Sequence, residues 1–525
     1  MAAARTSALD DPNVDSLSGL IEESTRSSRE GARFFVEPAS NTLSRALSKR
    51  HHIVFGRRGS GKSSLLHKVL ADAQADRTPI VFIDMEAFKG HSYPDVLVSV
   101  LLSTFREFRR WTKGVAIEPG SKQGFWNKLI GRRPNRAPIK DTGMEELGQD
   151  LDRAIEDLSG LLHDPEESAR HTSKSAERAK TSRLDGSVGA KAGPLSSEFS
   201  IGEETARRQS GNVDDQYKHK KIATLHRDIL RYRNLLERIA KTGEGHGYIL
   251  LDDLYHIRSA DQVDVIDYFH RIAKGTGIWL KIGTIRHRTN YYVPGDPPKG
   301  MKIGDDCEEI DLDVTLEKYQ LTKSFLFRVL DQFSKECNVR LSSILTDGAR
   351  DRLVIGSGGV ARDFLSIFRR AISIAKERVA SGDLARGDKV GAEDVNRAAG
   401  ENDSYKQTEF DKDVEAGSAS GLRDFFATIA SFCVEKNKTN CFLIQKDSHG
   451  KDASMIAELV DFKLLHHCDA RVTVRSKVGK IFEAYMLDIA QYTGERARRN
   501  LEMIEFWEPN GAEKLRRASL IFAEA

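Results

Sequence analysis

Two clusters in this chain have the residue types and spacing for phosphate chemistry. The first is Gly56-Arg57-Arg58-Gly59-Ser60-Gly61-Lys62-Ser63, followed by Ser64. It fits G-x-x-x-x-G-K-[ST], a loop whose backbone N–H groups cradle phosphates at the positive end of the helix that follows. Gly56, Gly59 and Gly61 permit the backbone angles and the close approach. Lys62 is placed to neutralise β- and γ-phosphate oxygens, and the Ser63 hydroxyl to ligate Mg²⁺. The second cluster is Asp252-Asp253, at the end of the apolar run Tyr248-Ile249-Leu250-Leu251. Asp252 is placed to hold Mg²⁺ through water, and Asp253 to orient or deprotonate an attacking water. The chemistry expected is Mg²⁺-dependent cleavage of a nucleoside triphosphate at its γ-phosphate.

These groups need a scaffold that brings them to one edge. His51–Phe55 is short, β-branched and apolar, as a buried strand should be, and Ser64–Leu70 after the loop reads as a helix. Further strands are expected at Pro79–Asp84, Gly247–Asp253, Ile278–Gly283 and Glu309–Leu312. Helices are expected at Tyr93–Trp111, Asp261–Lys274 and Thr315–Cys337. Strands alternating with helices argue for a parallel α/β sheet covered on both faces. The fourth strand ends at Thr284-Ile285-Arg286-His287-Arg288. Thr284 or Arg286 at that tip can reach a γ-phosphate or a neighbouring subunit's nucleotide. The turn Gly356-Ser357-Gly358-Gly359 precedes Arg362, which can swing over the phosphates from a helical segment.

The 525 residues suggest about three domains. With 39% hydrophobic and 30% charged residues the chain reads as water-soluble, and a net charge of +3 confines any nucleic-acid surface to a local patch. Five cysteines without C-x-x-C spacing argue for a reducing compartment. No apolar run reaches the length of a membrane span or a signal core, so a cytoplasmic location away from membranes is expected. The expected organisation is a flexible arm (1–31), an α/β core (32–340), a helical lid (341–400), a linker (401–420) and a small tail domain (421–525). Within the core, 113–213 reads as an insertion, part helical and part disordered, with Trp126 in a basic stretch and a polar run over Ser173–Ser210. A charged helix follows over Val213–Lys241. In the tail, helices at Leu422–Lys436 and Ala453–His466 precede a two-stranded ribbon, the pattern of a winged helix. His466-His467-Cys468 lacks a fourth ligand for zinc.

The chain resembles AAA+ and related STAND-type P-loop ATPases over residues 34–400 apart from the insertion. Gly56–Ser63 matches Walker A, Ile249–Asp253 matches Walker B, Thr284 and Arg286 sit at sensor 1, and Gly359-Val360-Ala361-Arg362 resembles sensor 2. A lid followed by a winged helix resembles the origin-recognition branch. The resemblance implies a P-loop NTPase sheet sandwiched by helices, an all-helical lid and a winged-helix-like α+β tail. It also implies ATP and Mg²⁺ as ligands, a homo-oligomer, and nucleotide-controlled engagement of DNA through 421–525. The alternative is a STAND-like signalling or anti-phage defence ATPase that recruits an effector protein through 113–213. A nucleotide-binding scaffold without turnover is a third reading. One departure stands out: Walker B ends Asp252-Asp253 where the family usually has Asp-Glu, which implies slow hydrolysis.

Overall fold

The computed structural model describes residues 7–24, 30–75, 78–116, 143–162, 198–416, 421–446, 451–493 and 501–522. The basic stretch around Trp126 and the polar run from Ser173 to residue 197 lie outside them. Strands β1 (His52–Phe55), β2 (Ile80–Asp84), β3 (Gly247–Asp252), β4 (Ile278–Thr284) and β7 (Glu308–Asp311) form one parallel sheet, in the order β2-β3-β4-β1-β7. A small ladder of β5 (Tyr292–Val293) and β6 (Lys299–Gly300) lies between β4 and β7 in sequence. Every residue of β1 and β3 is buried, as strands covered on both faces must be. Helices flank the sheet, and the architecture is the α/β fold of a P-loop NTPase.

The order of strands matters for the site. Only β4 separates β1 from β3, so the loops leaving those two strands emerge at the same C-terminal edge. Parallel register sets Phe55 beside Thr284, and Asp84 of β2 beside Asp252 of β3.

Part of the insertion belongs to the core. The helix at 143–162 and the long helix Glu198–Thr242 pack with the helix Asp95–Ala116. Phe105, Leu151, Leu158, Tyr232 and Leu236 share one apolar cluster with Ile249 and Leu251 of β3. Arg109–Asp152 and Arg231–Asp157 ion pairs fasten its surface.

Three expectations are revised. The 1–31 arm contains a helix, Pro12–Ser24, whose Val14, Leu17 and Ile21 are buried against the lid. That 3–4 spacing is an apolar stripe, and polar composition masked it. The 401–420 linker is helical up to Ala416, as part of Ala392–Ala416. Its Lys406 and Phe410, one turn apart, anchor it: Lys406 meets Asp488, and Phe410 meets the rings of Phe426 and Phe462. The tail helix expected to reach His466 spans Lys451–Asp461 and stops there, because Lys463 adopts a left-handed conformation (φ 62°) and β9 (Leu465–Thr473) begins. With β8 (Cys441–Gln445) and β10 (Ile481–Leu487) it makes an antiparallel sheet in the order β8-β10-β9, three strands where two were expected.

The helix Tyr319–Glu336 and the lid helices Asp347–Ser357 and Ala361–Ala380 share one continuous core with the N-terminal helix and the tail. The tail is packed against the lid and is no hanging appendage.

Candidate functional site: a phosphate-loop cavity between core and lid

The loop after β1 turns tightly into the helix Lys62–Ala75. Gly59 and Gly61 have φ of 89° and 101°, in the region that glycine enters without steric cost. A Cβ on Gly56 would lie 2.2 Å from the Ser60 hydroxyl oxygen and 3.2 Å from its Cβ, so a side chain here would displace Ser60. Lys62 is only 4% exposed. Its Nζ donates to the carbonyls of Gly56 (2.8 Å) and Arg57 (3.2 Å) and lies 3.9 Å from Asp253 Oδ1. Burial lowers its pKa, against the pull of Asp253 and Asp252.

Asp252, at the end of β3, is equally buried. Burial first, and then the neighbouring Asp253 charge, push its carboxyl up to about 7, while a hydrogen bond from Ser63 opposes the rise. A buried carboxyl short of positive charge, with a hydroxyl beside it, is a donor set that fits Mg²⁺. Asp253 itself is left-handed (φ 53°, ψ 47°), an uncommon state for a residue with a Cβ and one found at strained functional turns.

Lys62, Ser63 and Asp253 face a cavity of about 230 Å³; Asp252 does not line it and adjoins it through the Ser63 hydroxyl it bonds. Arg58, Gly59, Gly61, Lys62, Ser63 and Ser64 form its floor, with Asp253, Tyr255, His256 and Glu86 on the wall nearest the acids. The lid closes the opposite side. Arg362 lines the cavity, and its N–H donates to the Gly59 carbonyl at 3.3 Å, so lid and phosphate loop touch directly. The far end is apolar: Phe34, Phe35, Val329, Phe333 and Leu365. Phe34 stacks on Phe333 with ring centres 4.4 Å apart, so the two rings form one aromatic wall at this end. A polar end with a lysine, a hydroxyl and two acids, joined to an aromatic wall, suits a nucleoside triphosphate.

Not every residue expected here arrives. Arg57 is 3% exposed and faces away. Its N–H and Nε both donate to Asp313 Oδ1 (2.8 and 3.3 Å), and its guanidinium donates to the carbonyls of Val314 (3.0 Å) and Gly358 (3.2 Å). Arg57 therefore ties the phosphate loop to the lid hinge, and its N–H is spent on a carboxylate. The Ser60 hydroxyl is buried against Gly56, with no hydrogen-bond partner among the described residues. Thr284 is fully buried, its hydroxyl hydrogen-bonded to that of Thr289, and its carbonyl accepts from the Gly56 N–H. Arg286 stacks over Phe55 and pairs with Glu309 (2.9 Å) and Asp311 (3.3 Å). Neither Thr284 nor Arg286 lines the cavity. Arg288 lies over the Phe462 ring of the tail.

Sequence reasoning missed the aromatic wall, Tyr255, His256 and Glu86. The pair Phe34-Phe35 just ahead of the first strand was a signal. Its partner Phe333 is brought to it only by the fold.

No family model matches the chain, and no curated protein matches it. Among solved structures it is similar to the Walker-type ATPase PABY2304 of Pyrococcus abyssi, at 11% identity and a TM-score of 0.39, over 89% of this chain and 95% of that one. It is also similar to the ORC1 protein of Aeropyrum pernix, solved in complex with DNA, at 13% identity and a TM-score of 0.33, over 87% and 92%. Likeness at that distance carries no argument about activity, which rests on the cavity's own residues.

Proposed function

We propose that the chain is an AAA+-type ATPase that binds ATP between core and lid and hydrolyses it slowly. The observation that carries this reading is the convergence of Lys62, Ser63 and Asp253 with lid Arg362 and an aromatic wall on one cavity, with Asp252 hydrogen-bonded to Ser63. Mg²⁺, held by Ser63 and Asp252, would supply charge neutralisation for the phosphates. Lys62 would exchange the loop carbonyls for phosphate oxygens, and Arg362 would add a second cation from the lid. Tyr255 lies within 5.8 Å of Lys62 Nζ and helps exclude water from that end. Asp253, 3.9 Å from Lys62 Nζ, would spare binding and act on the rate through that lysine. Asp253→Asn is expected to keep ATP affinity within about threefold and to lower turnover. Equal turnover would remove Asp253 from the reaction.

The tail supports a DNA-linked role. Helix, strand, helix and two further strands, in the order β8-β10-β9, suit a winged helix whose wing is the β9–β10 hairpin. Val478 at its tip is 92% exposed, among Arg475, Lys477 and Lys480. The direct test is Arg475→Glu with Lys477→Glu, read by fluorescence anisotropy on duplex DNA. Weaker binding with a flatter salt dependence supports the reading, and unchanged binding removes it. The signalling alternative has its own observation. The helix Glu198–Thr242 is about 67 Å long and carries Leu230 at 75% exposure, a feature that suits a partner protein.

A further inference from the structure

Asp253 is poorly placed to be the sole activator of water. Its backbone is left-handed, its carboxylate lies 3.9 Å from the Lys62 ammonium, and it is one methylene shorter than glutamate. A second carboxylate reaches the same cavity from the adjacent strand. Asp84 closes β2 in register with Asp252, and two residues later Glu86 lines the cavity with Lys62, Ser63 and Asp253.

The turn that carries Glu86 is fixed. The Asp84 carboxylate accepts the Glu86 N–H at 2.9 Å, the Glu86 carbonyl accepts from Lys89 N at 3.1 Å, and Met85 between them is fully buried. The turn Met85–Phe88 packs on the turn Leu254–His256, which also borders the cavity. The Glu86 residue is exposed; among the described residues its carboxylate takes no hydrogen bond or ion pair, and its electrostatic neighbour is His256. The backbone is therefore held while the carboxylate keeps its accepting capacity.

We propose that Glu86 is the carboxylate that orients and deprotonates the attacking water, with Asp253 acting mainly on Lys62. This deepens the ATPase reading and rests on it. In the step, the water oxygen forms a bond to the γ-phosphorus, and the bond from that phosphorus to the β,γ-bridging oxygen breaks. The bond's electron pair leaves on ADP, and the water proton passes to Glu86 and then to solvent or phosphate.

The test compares the full-length protein with Glu86→Gln, Glu86→Asp and Asp253→Asn. The readouts are steady-state turnover, affinity for a non-hydrolysable ATP analogue by calorimetry, and the nucleotide retained after one turnover by chromatography. Glu86→Gln is expected to lower kcat by about 100-fold with analogue affinity unchanged. It should also leave ATP in place of ADP on the protein. Glu86→Asp should recover part of the rate. Wild-type kcat in Glu86→Gln, or ADP retained as in the wild type, overturns the assignment. Absence of hydrolysis by the wild type itself overturns the ATPase reading, and Glu86 with it.

Discussion

Asp252 and Asp488 are both buried carboxylates at a strand's end, 4% and 0% exposed, and they titrate in opposite directions. Asp252 is pushed up to about 7 because burial and Asp253 outweigh its one hydroxyl partner and the nearby Lys62. Asp488, just after β10, is held down at about 2, although burial works against it. Lys406 lies 2.8 Å away and His466 Nε2 2.7 Å away. The difference is counter-charge. Beside the core–lid cavity the protein leaves an acid under-compensated, which protonation or a cation would relieve. At the seam between lid helix and tail it compensates an acid fully, which fastens two elements together. Perturbed charge in the first place is a functional sign, and in the second a structural one.

Breaking the compensated site should have the largest effect. Asp488→Asn strands Lys406 and His466 in the interior and is expected to cost about 3–5 kcal/mol, read by urea unfolding. A loss below about 1 kcal/mol would mean the seam opens to water. The pH dependence follows in sign. The depressed Asp488 pKa contributes stability that is fully present above its ordinary value of 3.8 and is lost as pH falls through about 2.

The under-compensated site should respond the other way. Asp252→Asn is expected to leave the metal-free protein at pH 8 at least as stable as wild type, while abolishing the stabilisation that Mg²⁺ and ATP together give in a thermal melt. Clear destabilisation of the metal-free variant would show that Asp252 is already balanced.

Arg57 joins the two regions, since it belongs to the phosphate loop yet bonds Asp313 and the hinge carbonyl of Gly358. Arg57→Lys keeps the charge and loses the fork. The expected result is about 1–2 kcal/mol of stability lost and a several-fold weaker nucleotide affinity. Unchanged affinity would uncouple loop from hinge.

The smallest effect is at Asp461, where burial pushes the carboxyl up to about 6, and Oδ2 has no hydrogen-bond partner among the described residues. Because the native state binds this proton more tightly than the unfolded chain, stability should fall as pH rises from 3.8 through about 6. Asp461→Asn should flatten that slope, and an unchanged slope would assign it to another group.

The sheet and its edge were legible because a parallel strand covered on both faces must be an uninterrupted apolar run, and the glycine loop and acid pair follow such runs directly. The lid arginine was legible because a glycine turn marks its hinge. Other features depend on pairs distant in sequence. Nothing local tells Arg57 from Arg58, yet Arg58 lines the cavity and Arg57 is turned to Asp313. Arg286 was placed near the phosphates by strand position alone, whereas Glu309 and Asp311, delivered by β7 on the far side of β1, hold it elsewhere. The linker and the arm were misread for one reason: a helix anchored by two or three buried side chains looks polar in composition.

The central claim is that the cavity above Gly56–Ser63 is an ATP site whose binding depends on Lys62. Isothermal titration of ATP with Mg²⁺ into the wild type and into Lys62→Ala tests it most directly. The account predicts saturable binding to the wild type and a loss of at least about 100-fold in the variant. Equal affinity in the two proteins would contradict it.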